Sequence, residues 1–302
     1  MKIGLMLPLA EDETAGFADL RALGLAAEES GLDSVWGADH LIFRDEGETT
    51  GIHESWTVLT ALAAVTSRVQ IGPLVLAVPF RNPALTAKMA AELDEVSGGR
   101  LILGLGCGWH EPEFDAFGYP FDHRVARFEE ALEIIIPLLR GERVSFEGRY
   151  HGARDVELHP APVRKGGPAI LIAGKRPRML TLVARWADQW NGAWYGQPRE
   201  AVELRERLTN VRAALDAAGR DPATLELTAG IFVAFEGADD DAPERAIRGT
   251  IDEVATALAG YRELGVSHVI AHVFPRTVDA VRRLGEAAAV ARERVGEAAL
   301  IS

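Results

Sequence analysis

Short apolar runs recur along this chain, each followed by a longer segment whose apolar positions keep helical spacing, and this alternation predicts repeated strand–helix units. The plainest unit is centred on residues 97–110, S-G-G-R-L-I-L-G-L-G-C-G-W-H, where the run 101–105 is bounded by Gly98 and Gly99 before it and by Gly106 and Gly108 after it. A strand buried on both faces reads this way. Helical patterns flank it at 84–96 and 125–139. The same rhythm predicts strands at 2–9, 34–38, 69–78, 169–173, 187–191, 225–235 and 268–274. Helices are predicted at 17–30, 56–65, 179–186, 200–218, 251–264 and 278–295. Residues 41–53 read as a polar loop, 106–122 as a long connection, and 236–244 as an acidic solvated loop.

Eight strands alternating with eight helices point to an α/β protein, a single (β/α)8 TIM barrel over residues 1–302 with insertions at its C-terminal face. A doubly wound open sheet in two halves is the competing architecture. The steady alternation and the lack of a linker favour one barrel. Residues 141–167 break into short pieces and predict a small β excursion over the barrel end.

Composition narrows the function classes. The formal net charge of −13 repels nucleic-acid phosphates and anionic lipid, so neither nucleic acid nor membrane is an expected partner. No apolar run approaches a bilayer span and the start of the chain lacks signal-peptide character, which places the protein in the cytoplasm. The single cysteine, Cys107, excludes an internal disulfide.

In a barrel, chemistry gathers where strands end. Asp39-His40 lies there after the second strand, where an imidazole can move a proton beside an orienting carboxylate; a helix-capping aspartate beside a packed histidine is the plainer alternative. After the fourth strand, Gly106 and Gly108 let backbone approach a flat or anionic ligand, or serve a tight turn, and Trp109 can wall a ring system. Cys107 reads as a small lining residue. Ala173-Gly174-Lys175-Arg176 opens a helix with two cations, giving either a phosphate seat or two solvated charges. No H-E-x-x-H occurs and no His-x-His closes the first strand, so no metal site is expected.

The runs R-V-Q-I-G-P-L-V-L-A-V-P-F-R-N-P (68–83), L-D-E-V-S-G-G-R-L-I-L-G-L-G-C-G-W (93–109) and A-D-Q-W-N-G (187–192) resemble the bacterial luciferase-like superfamily. They are particularly similar to its branch using the deazaflavin coenzyme F420. The resemblance implies a barrel mouth holding a deazaflavin or isoalloxazine ring, buttressed by a non-proline cis peptide at Leu74-Val75. Asp39 and Ala77 would flank the ring, and Gly106 and Cys107 would line it. The phosphate loop after the fifth strand maps to Ala173, Gly174 and Lys175, although Lys175-Arg176 stands where small residues are usual.

The sugar-phosphate dehydrogenases of that branch carry a glutamate where this chain has Trp109. Trp109 and Phe43 therefore suggest an apolar or aromatic substrate. The implied activity is hydride transfer between F420 and a small organic substrate, with His40 as general acid or base and Asp39 shaping its surroundings. An FMN-dependent two-component monooxygenase, a non-catalytic flavin-binding protein and a metal-dependent hydrolase are the alternatives. A flavin or F420 reductase as electron supplier, and a homodimer formed through helix 56–65, are the expected partners.

Overall fold

The structure is a computed structural model that describes residues 1–14, 16–45, 47–238 and 242–301. Eight parallel strands form its centre. They are β1 (Lys2–Met6), β2 (Ser34–Gly37), β3 (Gln70–Pro73, resuming as Leu76–Ala77), β4 (Ile102–Gly106), β5 (Ala169–Ala173), β6 (Gln189–Tyr195), β7 (Glu226–Ala234) and β8 (His268–Phe274). Each pairs with the next, and β8 returns to pair with β1 in the register Lys2↔His268 to Met6↔His272. The ring closes between β3 and β4 through the Ile71↔Leu101 bridge and the pairs Leu76↔Leu105 and Ala77↔Gly106. This is the expected (β/α)8 barrel.

Helices α1 (Phe17–Glu29), α2 (Ser55–Val65), α3 (Pro83–Val96), α4 (Arg124–Leu139), α5 (Pro177–Trp186), α6 (Val202–Ala217), α7 (Ile251–Glu263) and α8 (Val278–Ile301) form the outer layer. Their starts are written locally. The Asn82 side chain accepts from the Leu85 N–H with Pro83 at the first position of α3, and Thr250 with Glu253 makes a capping box on α7. Most apolar positions of α2, including Trp56, Val58, Leu59 and Leu62, are buried within the chain itself. No helix among the described residues is long and apolar enough to cross a membrane.

The barrel interior is a packed core. Met6, Trp36, Ile102, Leu171 and Ile270 meet inside the ring, and Trp36 is wholly buried. The indole fits because two neighbours lack a side chain: a Cβ on Gly72 would lie 2.6 Å from the Trp36 ring, and one on Gly4 would lie 2.9 Å from its Nε1. Trp36 Nε1 donates to Ser34 Oγ at 2.7 Å, and the same hydroxyl bonds His268 Nε2 at 2.7 Å. These contacts plug the lower barrel and leave its C-terminal end open.

Several expectations are corrected. The polar loop 41–53 contains an antiparallel hairpin, Ile42–Asp45 with Glu48–Gly51, and the connection 106–122 contains a helix, Glu111–Phe117. Strand 69–78 is broken where the chain bulges at a cis Leu74–Val75 peptide. A second non-proline cis peptide, Ala193–Trp194, lies in β6, which runs four residues beyond its expected end. The excursion 141–167 does form a hairpin, Val144–Glu147 with Gly152–Val156, but it folds back along the flank of α4. There the Glu130 carboxylate accepts the N–H groups of Arg149, Tyr150 and His151. Of the acidic loop 236–244, residues 239–241 lie outside the described residues.

Two imidazoles on β8 titrate abnormally. Burial pushes His268 down to about 3 and His272 down to about 4, so both are neutral in the folded chain at neutral pH. In the unfolded chain each takes up a proton near pH 6.5. Their contribution to stability is therefore complete above that pH and declines as pH falls toward the folded values. Between about pH 7 and about pH 5 each histidine should remove roughly 2 kcal/mol or less of stability. Urea unfolding at the two pH values checks this: His268→Gln should lose less stability on acidification than the parent chain, and an equal loss would rule the assignment out.

Candidate active site

The open end of the barrel holds a cavity of about 360 Å³. Asp39, His40, Leu74, Val75, Ala77, Gly106, Cys107, Trp109, Ala173, Gly174 and Lys175 all line it, although they come from four separate stretches of the chain. Two residues singled out in the sequence do not line it. Phe43 lies on the hairpin, its ring centroid 4.5 Å from that of His40. Arg176 occupies the N-cap position of α5 and is exposed.

The pairing within Asp39-His40 differs from expectation. Asp39 does not orient His40. Its buried carboxylate is gripped by Arg81 at 2.7 and 2.9 Å and accepts the Ala77 N–H at 2.8 Å. Arg81 also reaches Glu54 at 3.0 Å, and Glu54 caps α2 by accepting the N–H groups of Trp56 and Thr57. The two carboxylates hold Arg81 more firmly protonated, against its burial. Asp39 thus fastens the end of β2 to the end of β3, because adjacent side chains leaving a strand point in opposite directions.

The carboxylate that orients His40 is Glu113, in the Glu111–Phe117 helix after β4. It is wholly buried: its Oε1 lies 2.9 Å from His40 Nδ1 and its Oε2 accepts the Leu41 N–H at 2.9 Å. With Nδ1 held, His40 keeps Nε2 as the ring nitrogen without a hydrogen-bond partner among the described residues. Phe43, Trp109 and His110 surround the imidazole, with ring centroids 4.5, 5.4 and 6.4 Å away. The Arg44 N–H donates to His110 Nε2 at 3.1 Å, which ties the hairpin to this helix. The signal for Glu113 was present in Glu111-Pro112-Glu113, since a proline among acids is how a helix starts.

The opposite wall is cationic and small. Gly174 is required because a Cβ there would lie 2.6 Å from Met179 Cβ. Lys175 is exposed, and Arg207 from α6 reaches the cavity, donating to Tyr195 Oη at 2.8 Å and to the Ala193 carbonyl at 3.2 Å while paired with Glu203. Arg207 carried no sequence signal, because a basic residue on an amphipathic helix reads as solvated. Asn191 also lines this wall, as do Gly192, Ala193 and Trp194, which the unexpected length of β6 brings there. Burial raises the Cys107 thiol above its ordinary range, so at neutral pH it lines the cavity as a thiol. Among the described residues no group of three or more His, Cys, Asp or Glu side chains could hold a metal ion.

Known proteins resemble this chain in sequence and fold. The chain is similar to the phthiodiolone/phenolphthiodiolone dimycocerosates ketoreductase of Mycobacterium tuberculosis, with 31% identity over 96% of this chain and 82% of that protein. It is also similar to the F420-dependent hydroxymycolic acid dehydrogenase of the same organism, with 34% identity over 73% of this chain and 59% of that protein. Among solved structures, the monooxygenase RslO1 of Streptomyces bottropensis superimposes with a TM-score of 0.78 and 27% identity, covering 95% of this chain and 98% of that one. The signature of the luciferase-like monooxygenase family matches residues 1–302 from end to end. The chain belongs to the luciferase-like monooxygenase family.

Proposed function

We propose that this chain is an F420-dependent oxidoreductase that interconverts an alcohol and a ketone at the barrel mouth. The observation that carries the reading is the His40–Glu113 pair: a partly exposed imidazole with one nitrogen anchored to a buried carboxylate, facing a cavity sized for a small-molecule ligand. The ketoreductase and F420-dependent relatives support the same chemistry.

The residues fit a planar deazaflavin. Glycines at 106, 108, 174 and 192 keep side chains out of the cavity walls, and the Leu74–Val75 bulge and Trp194 supply apolar surface. Lys175 and Arg207 offer cations on the β5–β6 side for an anionic tail. Bound F420 supplies a carbon centre that accepts or donates two electrons as hydride.

His40 has the acid–base role. In alcohol oxidation the hydroxyl proton passes to His40 Nε2 as the carbinol C–H bond breaks with its electron pair and the C=O bond forms; reduction runs the same proton back. Glu113 is a positioning residue. Its Oε1 holds Nδ1–H and so leaves the lone pair on Nε2. Asp39 acts on the scaffold through Arg81 and Ala77.

A second reading, a monooxygenase that uses reduced FMN, is favoured by the likeness to RslO1. Titrating the protein with each cofactor and following fluorescence decides between them. F420 should bind at micromolar concentration and FMN much more weakly; tight FMN binding without F420 binding would reverse the assignment.

His40→Ala should retain F420 affinity while turnover falls about a hundredfold or more. Glu113→Gln makes a sharper test of positioning. The Leu41 N–H claims the amide oxygen, so the amide NH₂ faces Nδ1, the imidazole adopts the Nε2–H tautomer, and the base is lost. Turnover should again fall about a hundredfold with the F420 dissociation constant unchanged. Wild-type turnover in Glu113→Gln would remove it from the mechanism.

A further inference from the structure

Trp190 on β6 is wholly buried, yet it is one of the residues that line the cavity. Its indole is seated beside a glycine, since a Cβ on Gly192 would lie 2.8 Å from Trp190 Cη2. An indole N–H so placed has to be paired, and Trp190 Nε1 donates to the Gly174 carbonyl at 2.8 Å. The parallel ladder between β5 and β6 ends at Ala173↔Asn191, and only Gly174, Lys175 and Arg176 intervene before Pro177 opens α5. Among the described residues, the Trp190 bond is the only hydrogen bond that a side chain makes to these three.

That single bond has a large effect on so short a connection. Gly174 lacks a Cβ, so its own sterics leave the backbone several paths. In a planar trans peptide the Gly174 carbonyl and the Lys175 N–H point in opposite directions. Holding the carbonyl on Trp190 therefore sets where the Lys175 N–H is aimed and how Lys175 leaves the end of β5. Lys175 is an exposed cation at the cavity wall. A cation on a loop that must first be ordered binds an anion less tightly than one already held in place, because the ordering entropy is subtracted from the affinity.

We propose that Trp190 is a positioning residue for the anionic tail of the cofactor: its N–H fixes the Gly174 carbonyl and so holds Lys175 toward the tail. This rests on the F420 reading above and deepens it. Burial alone would make Trp190 a core residue, and the two roles differ in which part of the cofactor feels its loss.

The test measures dissociation constants of the intact protein for F420 and for its phosphate-free deazaflavin chromophore, with FMN and riboflavin as a second pair. Two variants remove the N–H. Trp190→Phe also shortens the ring, whereas replacing the Trp190 indole by benzothiophene keeps the bicyclic shape and leaves the core filled. Each should raise the F420 Kd about threefold to tenfold and change that of the phosphate-free chromophore by less than about twofold. Lys175→Ala should raise the F420 Kd about threefold or more in the parent chain but less than about twofold in either Trp190 variant, where the loop no longer presents the cation. Equal losses for both members of a pair, an unchanged F420 Kd in the benzothiophene variant, or full additivity with Lys175→Ala overturns the positioning role and leaves the F420 reading standing. If the parent chain binds FMN and not F420, the F420 reading falls and the ratio of FMN to riboflavin decides the role of Trp190 by the same criteria. Binding of neither cofactor overturns both.

Discussion

A buried carboxylate has to be paired, and at the mouth of this barrel that requirement fixes the geometry of everything around it. Asp39 is 4% exposed, and an ion so placed without a partner costs several kcal/mol. Arg81 from the β3–α3 connection and the Ala77 N–H together meet the demand, and Glu54 at the start of α2 secures the same guanidinium. One arginine thereby ties both ends of the β2–α2 connection to the β3–α3 connection, and the backbone leaving β2 can take a single path. His40 follows on that path, and its imidazole arrives within reach of Glu113 from the other side of β3.

Below this rim the barrel is sealed by shape. Trp36 fills the ring because Gly4 and Gly72 yield it their side-chain space, and its N–H shares the Ser34 hydroxyl with His268. A closed lower half and an open upper half follow from where the large and small residues fall on neighbouring strands. The cavity is the space above the last packed layer.

Glycines and indoles stand on both sides of the mouth, Gly106, Gly108 and Trp109 at the end of β4 and Gly174, Gly192 and Trp194 at the ends of β5 and β6. The His40–Glu113 pair belongs to the first side and the cations Lys175 and Arg207 to the second. His40 stands on one side of the slot with its Nδ1 already held by Glu113.

The fold was legible in the sequence because strand and helix periods are local, and eight alternations leave few ways to bury every apolar face. The gathering of Leu74, Gly106, Gly174 and His40 around one cavity also followed, since each stands at a strand's C-terminal end and a closed ring brings those ends together. The partner of His40 did not follow. Adjacency suggested Asp39, whereas side chains next to one another at a strand end diverge, and the carboxylate that meets the imidazole is Glu113, seventy-three positions along the chain. Arg207 and the extended wall of β6 were hidden for a related reason. Sequence patterns record which face of an element is apolar, but which polar groups converge across a cavity depends on register, bulges and helix placement, and only the assembled barrel sets those.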